Sequence, residues 1–174
     1  MAIRDATPAD IPAITAIYAH HVRHGTGSFE EEPPAEAEMA DRLAHVQNSG
    51  CAWLIAEEPG IGVIGFGYYA RFRDRSAYRF AAEDSIYVRE DVRGQGVGKA
   101  LVAALLERAE GQGFRQMFAV IGDSENIGSI GLHVSLGFRR AGVLKSAGFK
   151  FGRWLDVVYM QKPLGEGDRT LPGD

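Results

Sequence analysis

The chain has 174 residues, 19 Lys and Arg against 23 Asp and Glu, and a formal net charge of −4. At about 150 residues per domain that length predicts one compact domain with a full core, and the 45% apolar and 24% charged fractions are those of a globular protein. No run approaches the roughly 20 apolar residues of a membrane span, the acidic balance argues against non-specific nucleic-acid binding, and the single Cys51 excludes an internal disulfide or a Cys-rich zinc site. The start, Met1-Ala2-Ile3-Arg4-Asp5, lacks the basic-then-apolar pattern of a signal peptide and predicts a cytoplasmic protein. These limits leave an enzyme or a small-ligand binder.

In chain order, Ile3–Ala6 can open as a short strand. Thr7 reads as an N-cap with Pro8 in the first helical position and Asp10 three residues on, and Ile11, Ile14, Tyr18 and Val22 follow at helical spacing to about His21. A second helix begins near Pro34-Ala35-Glu36, with Met39, Leu43 and Val46 on one face. Cys51–Ala56, Ile61–Tyr69 and Tyr78–Val88 read as strands, Lys99–Ala109 as a strong helix and Gln116–Ile121 as the next strand. A short helix covers about Glu125–Leu136, and two strands near Arg139–Leu144 and Trp154–Lys162 end the domain. Strands pair locally at first and alternate with helices later, which predicts an α+β fold with a mixed sheet. Residues 1–162 form the expected domain, and 163–174, rich in Gly, Pro and charge, the expected flexible tail.

Two glycine motifs stand in different contexts. Gly60-Ile61-Gly62-Val63-Ile64-Gly65 matches the dinucleotide fingerprint G-x-G-x-x-G, but a turn precedes it and an alternating strand follows, so it predicts a hairpin. Arg93-Gly94-Gln95-Gly96-Val97-Gly98-Lys99 instead follows the strand ending at Val88 and opens the strongest helix. Backbone N–H groups at a helix start cradle phosphate oxygens, glycines let the ligand approach, and Arg93 and Lys99 supply charge. A P-loop NTPase fits poorly, since Arg93 and Ala100 stand where its glycine and Ser or Thr belong. A plain flexible turn is the alternative.

On Arg93, Gly96 and Gly98, and on Asn126, Ser129, His133, Gly137 and Phe138, the sequence resembles the GNAT superfamily of N-acetyltransferases. A narrower likeness runs from Ile3 to about Lys162. Ile17-Tyr18, Phe29–Pro34, Tyr78-Arg79-Phe80, Glu83–Val88 and Gly148–Val157 are similar to the phosphinothricin and methionine sulfone/sulfoximine acetyltransferases. Phe72-Arg73-Asp74-Arg75-Ser76 departs from the Trp-Arg-x-Arg common in that group. The resemblance implies a mixed, mostly antiparallel central sheet with helices on both faces, acetyl-CoA as cosubstrate without a metal, a small amino-acid analogue as acceptor, and a homodimer. The alternatives are acetylation of a peptide N-terminus and a non-catalytic CoA-binding module.

Transfer of acetyl from a thioester to an amine needs a neutral amine, a stabilised oxyanion, a protonated leaving thiolate and aligned substrates. The resemblance implies Glu83 as the base, against an exposed strand-edge Glu. It implies Ile86, Tyr87 and Val88 as backbone partners of the pantetheine arm, the Val88 N–H as oxyanion donor, and Gly94, Gln95, Gly96, Val97, Gly98 and Lys99 around the pyrophosphate. Asn126 and Ser129 are CoA contacts or helix caps. His133 stands where relatives place a tyrosine that protonates the thiolate; a proton donor, a CoA contact and a core histidine are all open. Arg73, Asp74 and Arg75, with Glu83, Asp84 and Ser85, are expected at the acceptor, where a guanidinium fork suits a carboxylate or phosphinate. Arg71 and Arg79 read as a solvated loop, and Phe29, Tyr78 and Phe80 as pocket wall or core. His20 and His24 share a helix face, but no Glu follows His20 and no third ligand is evident, so His20, His21 and His24 read as structural or exposed, and Cys51 reads as a buried hydrophobe.

Overall fold

In a computed structural model that describes residues 1–172, the Asp10 carboxylate accepts from the Thr7 N–H at 2.8 Å, and Pro8 opens a 3₁₀ turn leading into α1 (Ile11–His24). Arg4, from β1 (Ala2–Asp5), grips the same carboxylate through two bonds of 2.8 Å. That pair, more than the Thr7 contacts, holds the Asp10 pKa down at about 2. Helix α1 runs three residues past the expected end, to the Gly25 N–H bond on His21 O. Helix α2 (Glu36–Asn48) buries Met39, Leu43 and Val46, as its spacing predicts.

Strands β2 (Trp53–Glu58) and β3 (Gly62–Arg71) form the expected hairpin, with Gly60 and Gly62 at φ +77° and +90°. Then follow β4 (Ala81–Val88), α3 (Val97–Gly111), β5 (Gln116–Gly122), α4 (Ile127–Ser135), β6 (Arg139–Lys150) and β7 (Arg153–Pro163). Strand β4 starts later than expected because Ser76–Tyr78 form a 3₁₀ turn. Strand β6 runs six residues further than its apolar pattern implied. A bulge between Leu144 and Gly148 interrupts it, where Asp156 on β7 accepts from Ser146 N–H and Lys145 Nζ.

The seven strands form one sheet in the order β1-β2-β3-β4-β5-β7-β6, antiparallel except for β4–β5. Period-2 alternation assigns each residue of the central strands to a face. Phe66, Tyr68 and Tyr87 point toward α1 and α2, where Tyr18 meets Tyr87 edge-on at 4.9 Å. Gly65 and Gly67 lie under α3; a methyl at Gly67 would stand 3.0 Å from Leu105. The fold is therefore the expected α+β sheet flanked on both faces.

Pairing between β4 and β5 covers only Ala81–Asp84 against Gln116–Ala119. Beyond Asp84 and Ala119 the strands part and leave a V-shaped opening through the sheet. The start of the expected tail is packed: Leu164 is 1% exposed, its N–H binds Arg115 O at 2.9 Å, and the Arg115 guanidinium reaches Thr170 and Leu171. The last two residues of that tail lie outside the described residues.

Candidate active site

The opening between β4 and β5 is the narrow part of a cleft of about 880 Å³, within the range of small-molecule sites. Arg89 N–H bonds to Ile64 O at 2.9 Å, and Phe72 N–H to Ala81 O at 3.0 Å. With an unbroken β3–β4 register, odd-numbered residues of β4 turn their backbone groups toward β3 and even-numbered ones turn theirs away. Past the last β4–β5 pair, Ile86 and Val88 therefore aim their N–H and C=O groups into the gap. Tyr87, expected as a backbone partner too, faces β3 instead.

At the far end, Gly94 and Gly96 adopt φ +77° and +82°, and Gly96 is the N-cap of α3. The first N–H groups of that helix, together with exposed Lys99 and half-exposed Arg93, face the cleft. Unpaired N–H donors at a 15-residue helix start, with two cations beside them, suit a diphosphate. Gly98 fits against α4, since a methyl there would lie 2.7 Å from Leu132 Cδ1. Gln95 lies outside the cleft lining, with its amide nitrogen 3.5 Å from Asp91 O.

The three consecutive residues Glu83, Asp84 and Ser85 divide between the faces. Glu83, paired with Ala70, and Ser85, paired with Tyr68, lie on the α1–α2 side. Glu83 Oε2 stands 3.5 Å from Arg73 Nη1, and Arg73 stacks on Phe72 with its guanidinium carbon 4.1 Å from the ring centroid. Burial raises the Glu83 pKa above the ordinary carboxylate value; Arg73 opposes the shift and Asp84 reinforces it. Asp74 and Arg75 sit exposed on the same loop.

Asp84 lies on the other side of the sheet, away from Glu83. Its Oδ2 is 3.2 Å from His133 Nε2, while His133 Nδ1 donates to Ser129 O at 2.7 Å. Both ring nitrogens are thus engaged, and the imidazole is buried. Desolvation lowers the His133 pKa, but the Asp84 contact and the Ser129 carbonyl outweigh it, leaving the value above that of ordinary imidazole. Asn126 caps α4, its Oδ1 accepting from Ser129 N–H at 3.2 Å, and both residues also line the cleft.

Phe29 lies outside the cleft lining, packed over Gly122 and Gly148. Arg71 and Arg79 are exposed, and Cys51 is buried, as expected. His20 meets Glu90 at 2.7 Å. His21 is a cleft residue that sequence reasoning missed, as are Gly25, Thr26 and Gly27. Its Nε2 lies 2.9 Å from Val88 O, and burial lowers its pKa, so the neutral ring donates to that carbonyl. The one signal was its place, one helical turn beyond Tyr18, on the face that packs against β4. Among the described residues no three metal-ligating side chains converge, and no helix is long and apolar enough to cross a membrane.

Residues 3–159 match the family model of the acetyltransferase (GNAT) domain. The chain is 55% identical over 170 residues to a phosphinothricin N-acetyltransferase of Alcaligenes faecalis, covering 98% of this chain and 86% of that protein. It is 42% identical over 173 residues to an L-methionine sulfoximine/L-methionine sulfone acetyltransferase of Pseudomonas aeruginosa, covering 98% of both. A crystal structure of a GNAT phosphinothricin acetyltransferase from Sinorhizobium meliloti in complex with acetyl-CoA superimposes with a TM-score of 0.96 at 47% identity, over 99% of this chain and 93% of that one. The strand gap, the N–H cradle and this match agree, and the chain belongs to the GNAT acetyltransferase family as an acetyl-CoA-dependent N-acetyltransferase.

Proposed function

We propose that the chain acetylates the α-amino group of a small amino-acid analogue, namely phosphinothricin, methionine sulfoximine or methionine sulfone, by direct attack in a ternary complex. The observation that carries this is the Arg73–Glu83 pair on the α1–α2 side of the strand gap, 3.5 Å apart. It offers a guanidinium for the acceptor's acidic group beside a carboxylate for its amine. The names of the relatives favour the same acceptors.

In this mechanism Gly94, Gly96, Val97, Gly98, Lys99 and Arg93 hold the pyrophosphate, and the backbones of Ile86 and Val88 hold the pantetheine arm. That arm comes from the α3–α4 side, and the acceptor from the α1–α2 side. Glu83 takes the amine proton, directly or through one water, and a pKa raised by burial brings this base closer to neutrality. The Val88 N–H donates to the oxygen on which charge develops. Acetyl-CoA would supply the activated acyl carbon; as the C–N bond forms, its C–S bond would break and coenzyme A would leave as the thiolate, which takes up the proton the amine gave up. His133, with Nδ1 on Ser129 and Nε2 at Asp84, acts as a positioning residue that ties α4 to β4. Arg75 and Asp74 complete the acceptor loop, and Ser85 borders it. The role is detoxification in the cytoplasm, where acetyl-CoA is available.

We further propose a homodimer. Phe149, Phe151 and Trp154 are 57%, 54% and 65% exposed on the β6–β7 hairpin, a cluster large enough to call for a partner surface. Sedimentation at micromolar concentration should give twice the chain mass, and Trp154→Glu the monomer.

The direct test is thiol release from acetyl-CoA against the three analogues, polyamines, aminoglycosides and N-terminal peptides. Turnover on the analogues alone is expected. Turnover confined to peptides would move the acceptor assignment to a protein N-terminus, and acetyl-CoA binding without turnover would make the chain a non-catalytic module.

A further inference from the structure

The segment from His21 to Phe29 crosses the mouth of the β4–β5 gap. At one end His21 Nε2 bonds Val88 O, the last residue of β4. At the other, Thr26 O and the Phe29 ring press on Gly122, the last residue of β5, where a methyl would lie 2.7 Å from Phe29 Cε1. Between them Gly25, Thr26 and Gly27 wall the cleft. Phe29 also lies flat on Gly148 of β6, where a methyl would stand 2.6 Å from Phe29 Cδ2.

One side chain from the end of β6 holds this crossing. Lys150 is 3% exposed, and its Nζ donates to Gly25 O at 3.0 Å and Ser28 O at 2.7 Å. The two carbonyls lie on either side of the cleft-lining residues Thr26 and Gly27. Ser28 and Glu30 have other anchors: Tyr18 OH contacts Ser28 Oγ and Glu30 Oε1 at 2.9 Å each, and Arg42 binds Glu30 at 2.8 Å. Among the described residues, Gly25, Thr26 and Gly27 have no side-chain anchor of that kind. Burying an ammonium is costly without acceptors, and desolvation lowers the Lys150 pKa against the raising influence of Glu31 and Glu30. A strand end that packed only by apolar contact would need no such group.

We propose that Lys150 is a positioning residue that latches the 25–28 turn across the gap, with Gly122 and Gly148 as the flat seat for Phe29, and that this latch sets the acceptor-side wall of the cleft. The role in acceptor binding rests on the proposed function. Lys150 holds the Gly25–Ser28 end of the crossing and not the His21 end that neighbours Arg93, so the latch acts on the acceptor more than on the acetyl-CoA phosphates.

The experiment compares wild type with Lys150→Met, which keeps the stem and removes the donors, and Gly148→Ala, which displaces Phe29 with Lys150 intact. Both are read by steady-state kinetics on methionine sulfone and by amide hydrogen exchange. In both variants the acceptor KM is expected to rise about tenfold, the size of a lost charge-assisted bond, with the acetyl-CoA KM within about twofold and kcat changed less than the acceptor KM. Exchange at residues 25–29 should quicken while the central strands keep their protection. A kcat loss at unchanged acceptor KM, an equal rise in both KM values, or unaltered exchange at 25–29 would overturn the latch. If Lys150→Met does not fold, Gly148→Ala decides by the same criteria. If the wild type turns over none of the three analogues, the proposed acceptor falls, and exchange at 25–29 in the two variants still decides the latch.

Discussion

His133 Nε2 stands 3.2 Å from Asp84 Oδ2, each side chain 2% exposed, and this contact joins α4 to the strand that borders the cleft. His133 Nδ1 already donates to Ser129 O, so Nε2 carries a proton toward Asp84 only when the ring is charged. Removing one partner of such a buried pair typically costs about 3 kcal/mol. Asp84→Asn should therefore lower unfolding free energy by about that amount. Because the folded His133 pKa is raised, its contribution is full below the unfolded value and is lost as pH rises through the folded one. Urea midpoints should fall from mildly acid to mildly alkaline pH in the wild type, and this slope should be missing in Asp84→Asn. Equal slopes would remove the pair from the stability profile.

Glu83 and Arg73 give a second pH dependence, of opposite use. A base with a raised pKa places the acid limb of kcat/KM above the ordinary carboxylate range. Arg73 lowers that pKa, so Arg73→Ala should move the limb to still higher pH besides weakening acceptor binding. Glu83→Gln should cut kcat about a hundredfold with little change in acetyl-CoA KM. A pH–rate profile unchanged in Arg73→Ala would separate the two residues.

Gly96 tests the cradle. Its φ of +82° is left-handed, which costs a residue with a Cβ about 1–2 kcal/mol. Gly96→Ala should weaken acetyl-CoA binding about tenfold, by calorimetry, because the same backbone aims the first N–H groups of α3. Gln95→Ala should leave that affinity within about twofold, since Gln95 lies outside the cleft lining.

Leu164 tests the packed tail. It is 1% exposed in the main core, so Leu164→Ala should cost about 2–4 kcal/mol by denaturant unfolding. Truncation after Pro163 should cost at least as much, since it also removes the acceptors of Arg115. A stability near wild type in both would return residues 164–172 to the status of a loose end.

Local chemistry was legible wherever a short stretch decides its own conformation. Thr7, Pro8 and Asp10 mark a helix start by hydrogen bonds and a fixed φ. Met39, Leu43 and Val46 give a period of 3.6, and Gly60 with Gly62 gives a turn that only positive φ allows. Gly94–Lys99 was legible as a glycine turn into a helix because strand, glycines and helix follow one another without interruption. The end of β6 was not legible, since the Leu144–Gly148 bulge is set by Asp156 on the next strand.

What the sequence by itself determined, then, is the set of elements, the family likeness and the glycine turn into α3, all of which depend on neighbours in the chain. Only the tertiary structure decided how the candidate residues divide. Glu83 and Asp84 are adjacent in sequence, yet pleating sends one toward Arg73 and the other toward His133, 49 residues away. His21 reaches Val88 across 67 positions, and Lys150 reaches Ser28 across 122. No periodicity encodes such separations, because they depend on where β4 and β5 part and on which segment then spans the gap.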